Sequence, residues 1–101
     1  MARTRNVYGE VKSRTGMKKI FSEIRRDIAN AKSRPALTEL YKRAGYLITL
    51  THAPSWHEKF GREAASLRKI GEEEFHKTAQ KINRRARKIG TEADYDDKWG
   101  E

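Results

Sequence analysis

Apolar residues recur along this chain at spacings of three and four in three successive runs, and each run predicts one helix. Met17, Ile20, Phe21, Ile24, Ile28 and Ala31 form the first stripe, with Lys18, Lys19, Arg25, Arg26 and Lys32 around the rest of the circumference. This predicts a helix over 16–32. Pro35 ends it, because the residue before a proline is disfavoured in the helical region. The same proline suits the first turn of a second helix, where its missing N–H costs nothing. Leu37, Leu40, Tyr41, Ala44, Leu47, Ile48 and Thr51 place that helix over 35–51. Within it "GYLITLT", residues 45–51, has the β-branched content and alternation of a strand. No second strand is available to pair with it, so helix is the better reading. Tyr46 and Leu50 then fall off the main stripe and form a second apolar side, a surface for protein–protein contact.

Pro54 closes the second element, and Ser55 with Glu58 has the spacing of a capping box. Behind it Trp56, Phe60, Ala64, Leu67, Gly71, Phe75, Ala79, Ile82, Ala86 and Ile89 hold a single phase. Gly90 stands where a helix-ending glycine belongs. "RKIG" occurs at 68–71 and again at 87–90, with acidic residues following each time. Cations before a glycine and carboxylates after it mark a helix end. The stripe nevertheless crosses Gly71 in phase and leaves no residues for a loop. That favours one long helix over 56–89, kinked at Gly71 if at all, over a break there. Such a helix is about 50 Å long, roughly twice the length of either other helix. Either the two shorter helices cover it in tandem or one half projects to pair with a second molecule. With the extra apolar side at Tyr46 and Leu50, a homodimer is expected.

The expected architecture is all-α. Two shorter helices pack on a long C-terminal helix in a three-helix domain over 15–90, flanked by a mobile basic arm over 1–14 and a mobile acidic tail over 91–101.

Composition sharpens this. Of 101 residues, 36% are hydrophobic and 37% charged, so the core of one such domain is small. There is no cysteine, hence no disulfide framework and no thiolate metal site. "MARTRNVYGEV" has basic residues with no apolar stretch behind them, unlike a secretory signal, and no apolar run reaches the length of a membrane span. A cytoplasmic protein that does not engage membranes is expected.

Charge changes the picture most. The net is +9, but residues 1–90 hold 22 basic against 9 acidic side chains, a net of +13. Residues 91–101, "TEADYDDKWGE", hold one Lys against five carboxylates, a net of −4. In "KINRRARKIG", residues 81–90, five of ten positions are Lys or Arg. With Ile82, Ala86 and Ile89 facing the core, Lys77, Lys81, Arg84 and Lys88 align as a ridge, and Arg85 flanks it. A rigid row of cations suits phosphates, and arginine adds planar bidentate donors. Arg3 and Arg5 in the arm extend the same chemistry. The expected function is therefore non-enzymatic binding of nucleic acid, DNA or RNA, in a regulatory or accessory role. The alternative is a helical interaction module, an adaptor or inhibitor, whose target is an acidic protein surface.

Other chemistry finds little footing. His52, His57 and His76 lack metal-ligand spacing, and there is no nucleophile elbow or glycine-rich phosphate loop. Glu72, Glu73 and Glu74 are consecutive, so they fan around a helix and do not converge. No cofactor and no catalytic residue is expected. Tyr95 and Trp99 differ from the other aromatics because they lie in the acidic tail. "DYDDKW" has the look of a short segment that docks on a groove or basic patch. Free to move, that tail would compete with polyanions for the basic body.

Overall fold

The computed structural model describes residues 14–91 and 94–97. Among the described residues four helical segments follow one another: α1 (Arg14–Asn30), α2 (Arg34–Thr51), α3 (Pro54–Phe60) and α4 (Ala64–Lys88). A single 3-10 turn, Gly61–Glu63, joins α3 to α4, and the three pieces together make the long C-terminal element. Among the described residues there is no strand, and "GYLITLT" is helical throughout. The architecture is the expected one. α1 and α2 both lie along α4 and share a smaller contact with each other.

The three predicted stripes make up nearly all of the core, which also includes Ile70 from outside them. Met17, Ile20, Phe21, Ile24, Ile28 and Ala31 are buried from the first stripe, and Leu37, Leu40, Ala44, Leu47 and Ile48 from the second. Trp56, Ala64, Leu67, Phe75, Ala79, Ile82 and Ala86 complete it from the third. Tyr41 is half-buried against this cluster.

Helix ends follow local chemistry. Ser33 caps α2, its hydroxyl accepting from the Ala36 N–H at 3.4 Å, and Pro35 sits in the first turn. α1 stops at Asn30, two residues short of the prediction. There the Arg85 Nε–H donates to the Ala31 carbonyl at 2.9 Å, so a cation from α4 satisfies an acceptor just past the end of α1. After α4 the Gly90 N–H bonds the Arg87 carbonyl and the Thr91 N–H bonds the Ala86 carbonyl, with Gly90 at φ +81. This is the Schellman pattern that Gly90 foreshadowed.

Two sequence expectations are corrected here. The capping box at Ser55 does not form. Pro54 opens α3 instead of closing α2, and Ala53 precedes it with no side-chain cap. A proline at the first helical position is already adapted to a helix start, so the hydroxyl one residue later falls inside the helix. The single helix expected over 56–89 is also interrupted, at Gly61, although it is continuous across Gly71 as favoured. Gly61 has φ +54 and ψ −120, a conformation open to glycine alone, and the chain re-enters helix three residues later. The Trp56 indole N–H reaches across this corner to the Ala64 carbonyl at 3.2 Å, and its ring lies 4.3 Å from that of Phe60. α4 runs through Gly71 unbroken. A β-carbon there would stand 3.2 Å from Ile48 Cδ1 and 3.2 Å from Met17 Sδ. Gly71 is thus the point where α1 and α2 both press on α4.

Candidate nucleic-acid interface

α4 presents Lys77, Lys81, Arg84 and Lys88 on one flank, at intervals that keep them in register along the helix. Lys77, Arg84 and Lys88 are exposed and Lys81 is half-buried. The row is about 16 Å long. Arg85 is set apart from it. Its Nε–H is committed to the Ala31 carbonyl, which makes this side chain a tie between α4 and the end of α1 as well as a charge beside the ridge.

The ridge lies on the α1 side of α4. Arg25 of α1 shows this directly: one guanidinium nitrogen donates to Glu74 Oε1 at 3.1 Å and the other to the Thr78 hydroxyl at 3.3 Å. Thr78 in turn donates to the Glu74 carbonyl at 2.7 Å. Glu74 is the one buried member of the acidic triplet; its neighbours Glu72 and Glu73 are exposed. A buried carboxylate requires partners, and Arg25 with Lys77 Nζ at 3.5 Å supplies them. Lys18 lies seven residues before Arg25 on the same flank of α1, and Arg26 is the next cation outward. α1 therefore adds a second, shorter row on this side, the exposed Lys18 and Arg26, with Arg25 itself committed to Glu74. The acidic residues Glu23 and Asp27 fall on α1's other flank, toward α2, where Asp27 lies 3.8 Å from Arg43.

Sequence reasoning missed this second row as part of a site. The α1 cations were legible as a polar circumference, but nothing in one sequence says which flank of α1 meets which flank of α4. Arg3, Arg5 and Trp99 lie outside the described residues.

The tail, expected to be mobile, is instead seated on the body over residues 94–97, because side chains of α2 and α4 bond its main chain. Residues 94–97 lie along the seam between α2 and α4, on the flank away from the ridge. The Asn83 side chain pairs with the main chain of Tyr95 in both directions: the Tyr95 N–H donates to Oδ1 at 2.7 Å, and Nδ2 donates to the Tyr95 carbonyl at 2.8 Å. The Tyr95 hydroxyl bonds the Thr38 hydroxyl, and its ring lies 4.8 Å from the Tyr41 ring. Tyr41 O–H donates to the Asp96 carbonyl at 2.8 Å. His76 Nδ1 lies 3.0 Å from the Asp97 carbonyl, which can only accept, so Nδ1 carries the proton in this contact. The same nitrogen is 3.5 Å from the Asp97 carboxylate. Burial, with the charges of Asp96 and Asp97 adding to it, raises the Tyr41 hydroxyl above the ordinary tyrosine range.

The remaining candidates are dispersed. His52 faces Glu72 at 3.6 Å, His57 accepts from Arg68 at 2.7 Å, and His76 holds the tail. Among the described residues no three metal-ligating side chains converge, and no helix is long and apolar enough to cross a membrane. Tyr46 is 64% exposed on the outer face of α2, whereas Leu50 is half-buried against the core. The second apolar side of α2 is therefore narrower than its sequence implies. The fold and the charged face together describe a small helical bundle with a basic flank. No known protein family matches the chain, and no curated protein or solved structure is similar to it.

Proposed function

We propose that this protein binds nucleic acid through phosphate-backbone contacts on the α1–α4 face, as a non-enzymatic regulatory or accessory factor. The observation that carries the reading is the pairing of two cation rows from two rigid helices on one flank. Lys77, Lys81, Arg84 and Lys88 supply one row and the exposed Lys18 and Arg26 of α1 the other, with Arg25 held by Glu74 between them. Held by a packed core, such rows meet phosphates without ordering flexible side-chain carriers first. Both rows lie on the surface of the bundle and neither helix projects from it, so the contacts are to backbone and carry little base sequence information. Arg3 and Arg5 belong to the same reading as additional phosphate contacts. A homodimer is part of this proposal, with Tyr46 at the shared surface. A cysteine-free chain of this charge also fits the cytoplasm.

The test is binding to duplex and single-stranded DNA and RNA across a salt series. The magnitude of the log–log slope should correspond to several neutralised phosphates, at about 0.9 per phosphate for duplex DNA. Changing Lys81, Arg84 and Lys88 together to Gln should lower that magnitude by about 2–3. No retention of any nucleic acid at about 50 mM salt would reject the reading and point the same cations at an acidic protein surface.

A further inference from the structure

We propose that the seam between α2 and α4 is a peptide-binding groove for an acidic segment of a partner protein, one with an aromatic residue between carboxylates. Residues 94–97 occupy it as a tethered stand-in. Three observations carry this. First, the seat reads main chain: Asn83 engages both the N–H and the carbonyl of Tyr95, while Tyr41 and His76 take the next two carbonyls. Contacts of that kind accept any sequence of the right conformation, in the manner of strand addition but supplied by side chains. Second, the direction is set. Tyr95 lies at Asn83 and Asp97 at His76, two turns earlier on α4, so the segment runs antiparallel to that helix. Third, specificity comes from one ring and from charge. Tyr95 inserts beside Tyr41 with its hydroxyl on Thr38. The lips of the seam carry cations, since Arg34 and Lys42 stand one turn either side of Thr38 and Arg87 one turn beyond Asn83. The neighbouring carboxylates of Asp94 and Asp96 are exposed, where an incoming segment would present its own.

A tethered occupant works against any partner. Its effective concentration is on the order of millimolar, so a segment in trans must bind more tightly than the tail or act on a chain whose tail is released. The probe is therefore a peptide of residues 91–101, titrated into the full chain carrying Tyr95→Ala, with helical circular dichroism to confirm folding. The Tyr95→Ala chain should bind it at least about tenfold more tightly than the wild-type chain does. A second peptide that keeps Asp-Tyr-Asp-Asp within unrelated flanks should bind comparably, and one with Ala for Tyr should not. Adding Asn83→Ala to the chain should weaken binding at least about tenfold. The wild-type chain gives an independent reading, because excess peptide displaces the tail and must shift the chain's own Tyr95 amide signal toward that of an unbound segment. Absence of binding at millimolar peptide overturns the proposal. So does binding indifferent to Asn83→Ala but lost with Lys81→Glu and Arg84→Glu, which would put the peptide on the basic face.

Discussion

Gly71 has two forces acting on its replacement. Alanine in a helix interior is favoured over glycine by about 1 kcal/mol, but the added carbon would stand 3.2 Å from both Ile48 Cδ1 and Met17 Sδ. Both neighbours are ends of flexible side chains and can give by a few tenths of an ångström. We expect Gly71→Ala to stay within about 1 kcal/mol of the parent, and Gly71→Leu to lose about 1–3 kcal/mol or more by overpacking. Urea unfolding measures both; a stable Leu variant would mean that α1 and α2 do not meet at this point. The sequence marked Gly71 for attention but for the wrong reason. Flanked by cations and carboxylates it had the grammar of a helix end, whereas its role is to be small where two helices arrive. What faces a residue is a long-range property, and local grammar does not contain it. Glu74 makes the same point. Its burial depends on Arg25, 49 residues away, reaching across.

At the scale of elements, the stripes and prolines were enough to place three helical runs and nearly all of the core. Periodicity is strongest where one face is buried, and here each helix buries one. The corner at Gly61 escaped notice because the 3-10 turn is only three residues long, so Trp56, Ala64 and Leu67 keep a common apolar phase across it. The corner is testable on its own. At φ +54 and ψ −120 a side chain is strained whatever space surrounds it. Nothing lies within 4 Å of a β-carbon there, so strain is the whole effect. Gly61→Ala should cost about 1–3 kcal/mol in chemical denaturation. An unchanged midpoint would indicate that α3 and α4 can run on as one continuous helix.

At the scale of the whole molecule, charge is sorted onto flanks that the helices keep apart. The ridge of α4 faces the α1 side and the seated tail lies on the α2 side, so the carboxylates of 94–97 are parked away from the proposed nucleic-acid face. The charge asymmetry was legible in the sequence, but the seat was not, since Asn83, Thr38 and His76 are unremarkable until the tail lies over them. A tail released from its seat behaves differently from one held in it. From Gly90 onward the remaining residues can extend roughly 35 Å, enough to round α4 and reach Lys81 or Lys88. Tyr95→Ala in the full chain removes the ring contact with Tyr41 and the bond to Thr38 while keeping every tail charge. We therefore expect this variant to bind non-specific duplex DNA several-fold more weakly than the parent at low salt, because the freed tail competes at millimolar effective concentration. The gap should close as salt shortens the reach of the tail's charge, with a screening length of about 10 Å at 0.1 M. Deleting 91–101 from the variant should restore the affinity, since the competitor is then gone. If Tyr95→Ala and parent bind DNA alike throughout the salt series, the tail does not reach the basic face, and its place on α2 and α4 has no bearing on nucleic acid.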